Sequence, residues 1–441
     1  MDVVIAALAV VASLLCAFFF GKVAPLSLSK INYFSFLYYY NVLVLCLVGV
    51  IFISLGWRYD DVLNLVSPEN RVSASLYVMY GLVSFSIFIV FFSRLMGVDK
   101  KHINAYISTE LTKCSLLVRV YFTGILMLVL LVAVYFFSKL DVVPIFEIMR
   151  GGLNVAESSK LRSDSVFDLD SSLNFIRMTA TPVVQIVYFF FLSEFVSRKR
   201  FFNFFLVVIS FLIAVLFLAY GGDKAPVTMF LLGHVFFYVL VNGRISIKIL
   251  GSVLLLSLLL IGYLYASTMS GLSDSLLISF INRLFVSQVS GTYLAFQHYD
   301  AVEPFINFSS QNASILKLIG GEPALRASER LVEFYFTDSY IAGVFKNINS
   351  IFLHEAWANF GLAGAILSPI WVALLVCMNF YVLCMFGKSS VSVAFLTYFT
   401  YDTITFSTSF NAYIFSVQFV FLFCFFIVSI FLVQISRRVK W

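Results

Sequence analysis

The sequence has few charged residues: Asp, Glu, Lys and Arg make up only 12% of its 441 residues. Soluble globular chains carry roughly 25%, so the composition excludes a soluble protein. Hydrophobic residues make up 61%, and the mean hydropathy is +0.98. The apolar residues recur in blocks of about 20, the length with which an α-helix crosses roughly 30 Å of hydrocarbon. These features predict a helical membrane protein with many spans.

Cysteine is also sparse, and its placement argues against two kinds of site. Five of the six cysteines lie inside apolar blocks, and the sixth, Cys114, lies in a basic loop. This spacing indicates neither a disulfide framework nor a metal cluster, so we predict no bound metal and no cofactor. The sequence shows no low-complexity segment, no clear internal repeat and no nucleic-acid-binding patch.

We predict an all-α polytopic integral membrane protein that forms a single membrane domain, 1–441. Its first apolar block is too long for a signal-peptide core and has no basic residue before it, so we interpret it as a retained span. We count eleven transmembrane helices, with ten or twelve as alternatives because the last two share a barely polar hairpin. The predicted spans are 3–20, 36–55, 74–93, 118–138, 178–196, 202–220, 226–241, 247–266, 356–385, 390–409 and 412–434.

Basic residues are unevenly distributed between the two sides of this predicted bundle. One set of alternate connections holds 16 of the 29 basic residues but only three of the 23 acidic residues. Short loops rich in Lys and Arg stay in the cytoplasm, so we predict that the N-terminus lies outside and the C-terminus inside. The longest polar stretch, 267–355, then forms one large outer loop. Amphipathic helices within it are expected to rest at the membrane surface.

The motif that begins at His354 and Glu355 stands at the end of this loop and runs on to Gly361 and Gly364. Read as one helix, it carries a stripe of small residues, which lets another helix approach closely. We therefore expect His354 at the outer end of a tightly packed span, as a base or as a hydrogen-bond donor to phosphate. A histidine that only caps the span is the alternative. Position 358 is Ala, so the zinc-binding pattern His-Glu-x-x-His is absent.

A His followed by an apolar stretch and Gly-x-x-Gly, at the start of a late span, resembles the bacterial O-antigen polymerase and ligase superfamily. The Gly221-Gly222-Asp223-Lys224 turn is similar to a glycine-plus-basic turn of that family, although Lys stands where Arg is more usual. The resemblance implies a Wzy-type polymerase of GT-C-like architecture in the bacterial inner membrane. Such an enzyme joins oligosaccharide repeat units on undecaprenyl pyrophosphate at the periplasmic face. Membrane lipids, a chain-length regulator and a flippase are the partners implied, with no nucleic acid.

Transfer from a polyprenyl pyrophosphate needs positive groups that stabilise the departing pyrophosphate. Arg283 lies on the polar face of a predicted amphipathic helix, where it could bind pyrophosphate by paired hydrogen bonds or only anchor the helix to headgroups. Arg177, at the start of the fifth predicted span, and Lys224, in the glycine turn, are further candidates. Arg326 and Arg330 complete the predicted set, although ion pairs between successive helical turns would explain both without a ligand.

The same reaction needs a base that takes the proton of the attacking sugar hydroxyl. We assign this role to His354, with Glu355 or Asp60 as alternatives. Asp60 qualifies because C-type glycosyltransferases often carry carboxylates in an early outer loop, but a solvated loop explains it equally. A flippase for the same lipid-linked unit and an O-antigen ligase stay open as alternative functions. The long outer loop is hard to explain in a flippase.

Overall fold

The structure is a computed structural model that describes residues 2–150, 157, 160–161, 169–222, 224–255, 259, 276–311, 315–316, 320–321, 325–341, 348–403 and 405–438. Within these ranges the chain is helical and forms no β-strand, which confirms the predicted all-α polytopic class. Apolar blocks form helices because a helix satisfies its backbone polar groups internally, without water. The main helices are α1 Asp2–Val23, α2 Tyr33–Ser54, α3 Pro68–Leu95, α4 Lys100–Ser108, α5 Leu116–Ser138, α6 Ser171–Arg198, α7 Phe201–Ala219, α8 Lys224–Asn242, α9 Leu277–Val286, α10 Ser290–His298, α11 Ala327–Tyr335, α12 Phe352–Met385, α13 Ser390–Tyr398, α14 Phe410–Ile414 and α15 Val417–Arg438.

Nine helical segments in the described part of the chain are long and apolar enough to cross a membrane. The expected eleven differ from these nine at two places. The span expected at 247–266 lies mostly outside the described residues. The span expected at 390–409 is wrong as a continuous helix: α13 has nine residues, continues as the five-residue π-helical turn Phe399–Thr403, and ends there. The hydroxyl-rich residues that follow interrupt the apolar block. The remaining spans are α1, α2, α3, α5, α6, α7, α8, α12 and Phe410–Arg438.

Several basic connections meet at one end of the helical bundle. The buried Lys388 amine donates to the carbonyl oxygens of Ile107, at 2.7 Å, and Thr109, at 2.6 Å. Burial lowers the pKa of Lys388 to about 8. Arg198 donates to the carbonyl oxygen of Cys114. These contacts join the connections after α4, α6 and α12, which the charge distribution assigns to the cytoplasmic side, so they are compatible with the predicted orientation.

A sharp reversal at Gly361 divides α12 into two arms. Gly361 has φ +53° and ψ −132°, a conformation outside the helical region. Ala356 and Gly364 would be about 12 Å apart along a straight helix, yet a Cβ on Gly364 would overlap the Ala356 carbonyl oxygen. The Ala358 carbonyl oxygen, freed by the reversal, accepts from the Ile306 N–H at 2.9 Å. The first arm, 352–360, therefore folds back beside the second, 362–385, as a re-entrant arm.

The re-entrant arm reaches deep into the bundle. The Leu353 carbonyl oxygen accepts from the Tyr77 hydroxyl at 2.9 Å, and a Cβ on Gly81 would lie 2.7 Å from the Leu353 side chain. Tyr77 and Gly81 lie near the middle of α3. His354 is therefore beside the middle of a candidate span, and the expectation that it stands at the outer end of a straight helix is wrong. The reason is the backbone reversal at Gly361.

Helix α10 also packs inside the bundle. The amphipathic helix expected within 273–296 is two helices, α9 and α10, separated by a bend at 287–289. Tyr293 of α10 is fully buried, and its hydroxyl lies 2.8 Å from the Ser75 hydroxyl of α3. Helix α10, which belongs to the predicted outer loop, thus packs beside the re-entrant arm.

Substituting Gly361 with alanine is expected to destabilise the protein by about 1–3 kcal/mol, the cost of an unfavourable backbone conformation held by its surroundings. The added Cβ would also lie 2.6 Å from the Phe305 ring. Gly124→Ala is the matched control, because its added Cβ meets no atom within 4 Å on the outside of α5. Apparent melting temperatures of the purified proteins in detergent test the difference. Equal melting temperatures for the two variants would contradict the reversal at Gly361.

Candidate functional site

The Glu355 carboxylate lies on the re-entrant arm and is 6% exposed. Its Oε1 accepts from Asn411 Nδ2 at 2.9 Å and from the Ser310 hydroxyl at 3.4 Å. Its Oε2 accepts from the Asn411 backbone N–H at 3.0 Å and from the Ser409 hydroxyl. Four hydrogen bonds converge on one side chain. Their donors come from two non-helical segments and the start of α14, so the fold is locally built around this carboxyl group.

His354, the preceding residue, is 2% exposed. Its ring atom Nε2 is buried and has no hydrogen-bond partner among the described residues. A buried polar atom without a partner is costly and uncommon in native proteins. An imidazole nitrogen in this state can accept a proton from a hydroxyl placed beside it, which is what a general base requires.

A second polar cluster adjoins the re-entrant arm and was not predicted. His298, at the end of α10, is fully buried, and its Nε2 lies 3.5 Å from Glu303 Oε2. Its Nδ1 lies 3.4 Å from the Tyr335 hydroxyl. Burial lowers the pKa of His298, and the hydrogen bond and charge of Glu303 oppose that effect. Arg330 extends the cluster, with Nη1 3.7 Å from the same Glu303 oxygen.

The structure brings four of the eight predicted site residues into one region. Helix α11, which carries Arg330 and begins directly after Arg326, packs against both α10 and α12. Arg326 is exposed at the start of α11. The backbone N–H of Arg326 donates to the Glu329 carboxylate at 3.0 Å, which caps α11. His354, Glu355, Arg326 and Arg330 therefore combine a base, a carboxylate and two cations.

Asp60 lies in a different setting, buried between the first predicted outer loop and the end of α9. Its Oδ1 accepts from the Leu63 N–H at 2.9 Å. Its Oδ2 accepts from the Ser287 hydroxyl at 2.7 Å and from Asn282 Nδ2 at 3.2 Å. These bonds fasten two segments together and occupy both oxygens, so the geometry favours a structural role for Asp60.

The other three predicted cations are not gathered around Glu355. Arg283, on α9, is exposed, and Gln288 donates to its carbonyl oxygen. Arg177, in the first part of α6, donates to the Tyr220 hydroxyl at 3.1 Å and to Asn174 Oδ1 at 2.9 Å. Lys224 is the first residue of α8, and its side chain lies outside the described part of the structure.

Ser310, Ser409 and Asn411 are the polar residues around Glu355 that sequence reasoning missed. The only signal was a run of hydroxyl and amide residues at 405–411, in a hairpin interpreted as barely polar. Within the described ranges, no three His, Cys, Asp or Glu side chains are grouped as a metal site would require. Comparisons with protein-family models, with curated proteins and with solved structures found no match to this chain.

Proposed function

We propose that the protein is a membrane-embedded glycosyltransferase that extends a saccharide carried on a polyprenyl pyrophosphate, with a Wzy-type polymerase as its most specific form. One observation carries the proposal: the re-entrant arm holds a buried imidazole nitrogen without a hydrogen-bond partner among the described residues, next to a carboxyl group that accepts four hydrogen bonds. Arg330 lies on α11, which packs against α12, and Arg326 directly precedes α11. A base and a pair of cations are the groups that transfer from a pyrophosphate needs.

The reaction assigns one role to each group. The acceptor hydroxyl oxygen forms a bond to the anomeric carbon of the donor sugar while the bond from that carbon to the pyrophosphate oxygen breaks. The electron pair leaves with the polyprenyl pyrophosphate, and the hydroxyl proton passes to His354 Nε2. Glu355 stabilises the imidazolium ion that results. Arg326 and Arg330 bind the departing pyrophosphate, since guanidinium groups bind phosphate by paired hydrogen bonds. To do so, Arg330 gives up its contact with Glu303.

Deletion of the gene in the source organism tests this assignment. We expect the surface polysaccharide ladder to collapse to a single repeat unit, because units would still be made and exported but not joined. Restoration of the full ladder by the intact gene is the control. If finished chains accumulate and the core stays uncapped, the protein is a ligase and not a polymerase. Repeat units retained in the cytoplasm would identify a flippase and contradict the proposal.

A flippase for the same lipid-linked unit is the second candidate, and the interrupted helix pair α13–α14 favours it. Transporters place substrate sites at discontinuous helices near the bilayer midplane, and both the re-entrant arm and the break after Thr403 have this character. Purified protein in liposomes separates the candidates. A glycosyltransferase lengthens a lipid-linked saccharide that is already on the accessible face, whereas a flippase only moves it between leaflets.

A further inference from the structure

Five polar residues, four between the π-helical turn and α14 and one in the first turn of α14, form what we call the polar strip: Thr405, Ser407, Thr408, Ser409 and Asn411. Ser407 and Ser409 are exposed, whereas Asn411 is 4% exposed. Ser409 also donates to the Glu355 carboxylate. The polar strip therefore leads from an exposed part of the surface to the buried carboxylate.

The Asn411 side chain has a fixed orientation. Its Nδ2 donates to Glu355 Oε1 at 2.9 Å and to the Ser310 hydroxyl at 2.8 Å. In this orientation the amide nitrogen donates to both acceptors, whereas rotating the amide by 180° would place its oxygen against the Glu355 oxygen. Asn411 Oδ1 then faces away from Glu355. It is buried and has no donor among the described residues.

The polar strip is held rigidly by three contacts outside Glu355. The Tyr413 hydroxyl donates to the Thr405 carbonyl oxygen at 2.9 Å, and Trp371 Nε1 donates to the Tyr413 carbonyl oxygen at 3.1 Å. Gln311 Nε2 donates to the Asn411 carbonyl oxygen at 3.1 Å. Since the backbone and the amide nitrogen are both fixed, the vacant acceptor on Asn411 cannot relax towards a partner elsewhere. A ligand that carries donors would satisfy it.

We propose that the polar strip is a saccharide-binding subsite in which Asn411 Oδ1 accepts a hydrogen bond from a sugar hydroxyl or from a sugar amide N–H. The chemical class of the ligand rests on the proposed function. The position of the ligand rests on the vacant acceptor, Asn411 Oδ1. Hydroxyl groups along the strip suit a neutral ligand with many hydroxyls of its own. The subsite adjoins Glu355, the neighbour of His354, so it would place a sugar ring next to the proposed base.

Binding of a soluble oligosaccharide tests the subsite without any enzymatic turnover. The probe is the oligosaccharide released by mild acid from the organism's own surface polysaccharide, titrated calorimetrically into the purified protein. We expect Asn411→Ala to weaken binding about tenfold or more, the scale of one lost hydrogen bond to the ligand. Asn242→Ala is the matched control, because it makes the same change at an exposed residue at the end of α8, where the side chain donates to the Tyr238 carbonyl oxygen; its affinity should stay close to that of the wild type.

Ser407→Trp keeps the test decisive if Asn411→Ala does not fold. Ser407 is exposed, so a large side chain there leaves the interior intact but covers the polar strip, and binding should be lost. Wild-type affinity in the folded Asn411 variant or in Ser407→Trp would overturn the subsite. If sodium chloride stabilises the protein more than choline chloride does, and the oligosaccharide does not bind, the vacant oxygen is a cation site. That result would also overturn the subsite. An unchanged polysaccharide ladder after gene deletion would refute the proposed function separately, whatever the binding result.

Discussion

Replacing His354 with alanine is expected to slow chain extension by a factor of about 10² or more, the typical contribution of general acid–base catalysis. The imidazole is buried, its Nε2 has no partner among the described residues, and the adjacent carboxylate is held by four donors. Polysaccharide ladder length in cells, and the initial rate with purified protein, measure the loss.

The matched control is His102→Ala, at the other end of the bundle. His102 is exposed, and its ring contacts Asp99 at 2.9 Å in the first turn of α4. The His102→Ala variant should leave the length of the polysaccharide ladder unchanged. Protein must be quantified in the same membranes, since a variant that is degraded would also shorten the ladder. Long ladders from well-expressed His354→Ala would remove His354 from the site and transfer the role of base to Glu355 or Asp60.

Replacing Glu355 with leucine is expected to lower the stability by about 3 kcal/mol or more, because each buried donor left unsatisfied costs about 1–3 kcal/mol. The substitution removes the acceptor of the Ser310 and Ser409 hydroxyls and of the Asn411 backbone N–H, and leaves Asn411 Nδ2 with the Ser310 hydroxyl as its acceptor. Glu355→Gln should cost less, since one of its two side-chain atoms still accepts. Activity should fall in both variants, because the imidazolium ion loses its counter-charge.

A thiol-reactive fluorophore provides the stability measurement. Cys16, Cys46, Cys114 and Cys377 are buried and form no disulfide, so they react only as the protein unfolds, whereas the reaction of the exposed Cys424 and the partly exposed Cys384 sets the baseline. The control is Glu110→Leu, an exposed carboxylate in the loop after α4. We expect the melting temperature to fall in the order wild type, Glu355→Gln, Glu355→Leu, with Glu110→Leu close to the wild type. A Glu355→Leu protein as stable as the control would mean that the carboxylate does not organise this region.

Composition and periodicity were sufficient to predict the helical membrane class, because the length of an apolar block directly reflects the thickness of the bilayer. The path of the chain around Gly361 could not be predicted in the same way. Glycine adopts both helical and left-handed conformations at little cost, so a Gly-x-x-Gly pattern indicates close packing without revealing whether the helix continues. The reversal depends on partners such as Phe305 and Ile306, which only the folded chain brings beside the arm.

The residues of the candidate site could likewise be predicted only in part from the sequence. His354 and Glu355 were recognisable because they form a polar pair at the edge of an apolar block. Asn411 follows Glu355 by 56 positions in the sequence, and neither residue indicates the other without the structure. The cations were ambiguous for a related reason: the sequence places Arg330 near acidic residues on its own helix, whereas the structure pairs it with Glu303, across a loop.

The dependence of Glu355 on Ser409 and Asn411 also sets an order of events during biosynthesis. Ribosomes deliver the chain from its N-terminus, so the re-entrant arm is made before the segment that supplies three of its four hydrogen bonds. Until that segment is inserted, a carboxylate destined for the interior has no compensating donors. The nascent arm must therefore wait at a hydrated surface. A chain truncated before Ser409 is expected to keep the arm undocked and to present it to the proteases that monitor membrane proteins.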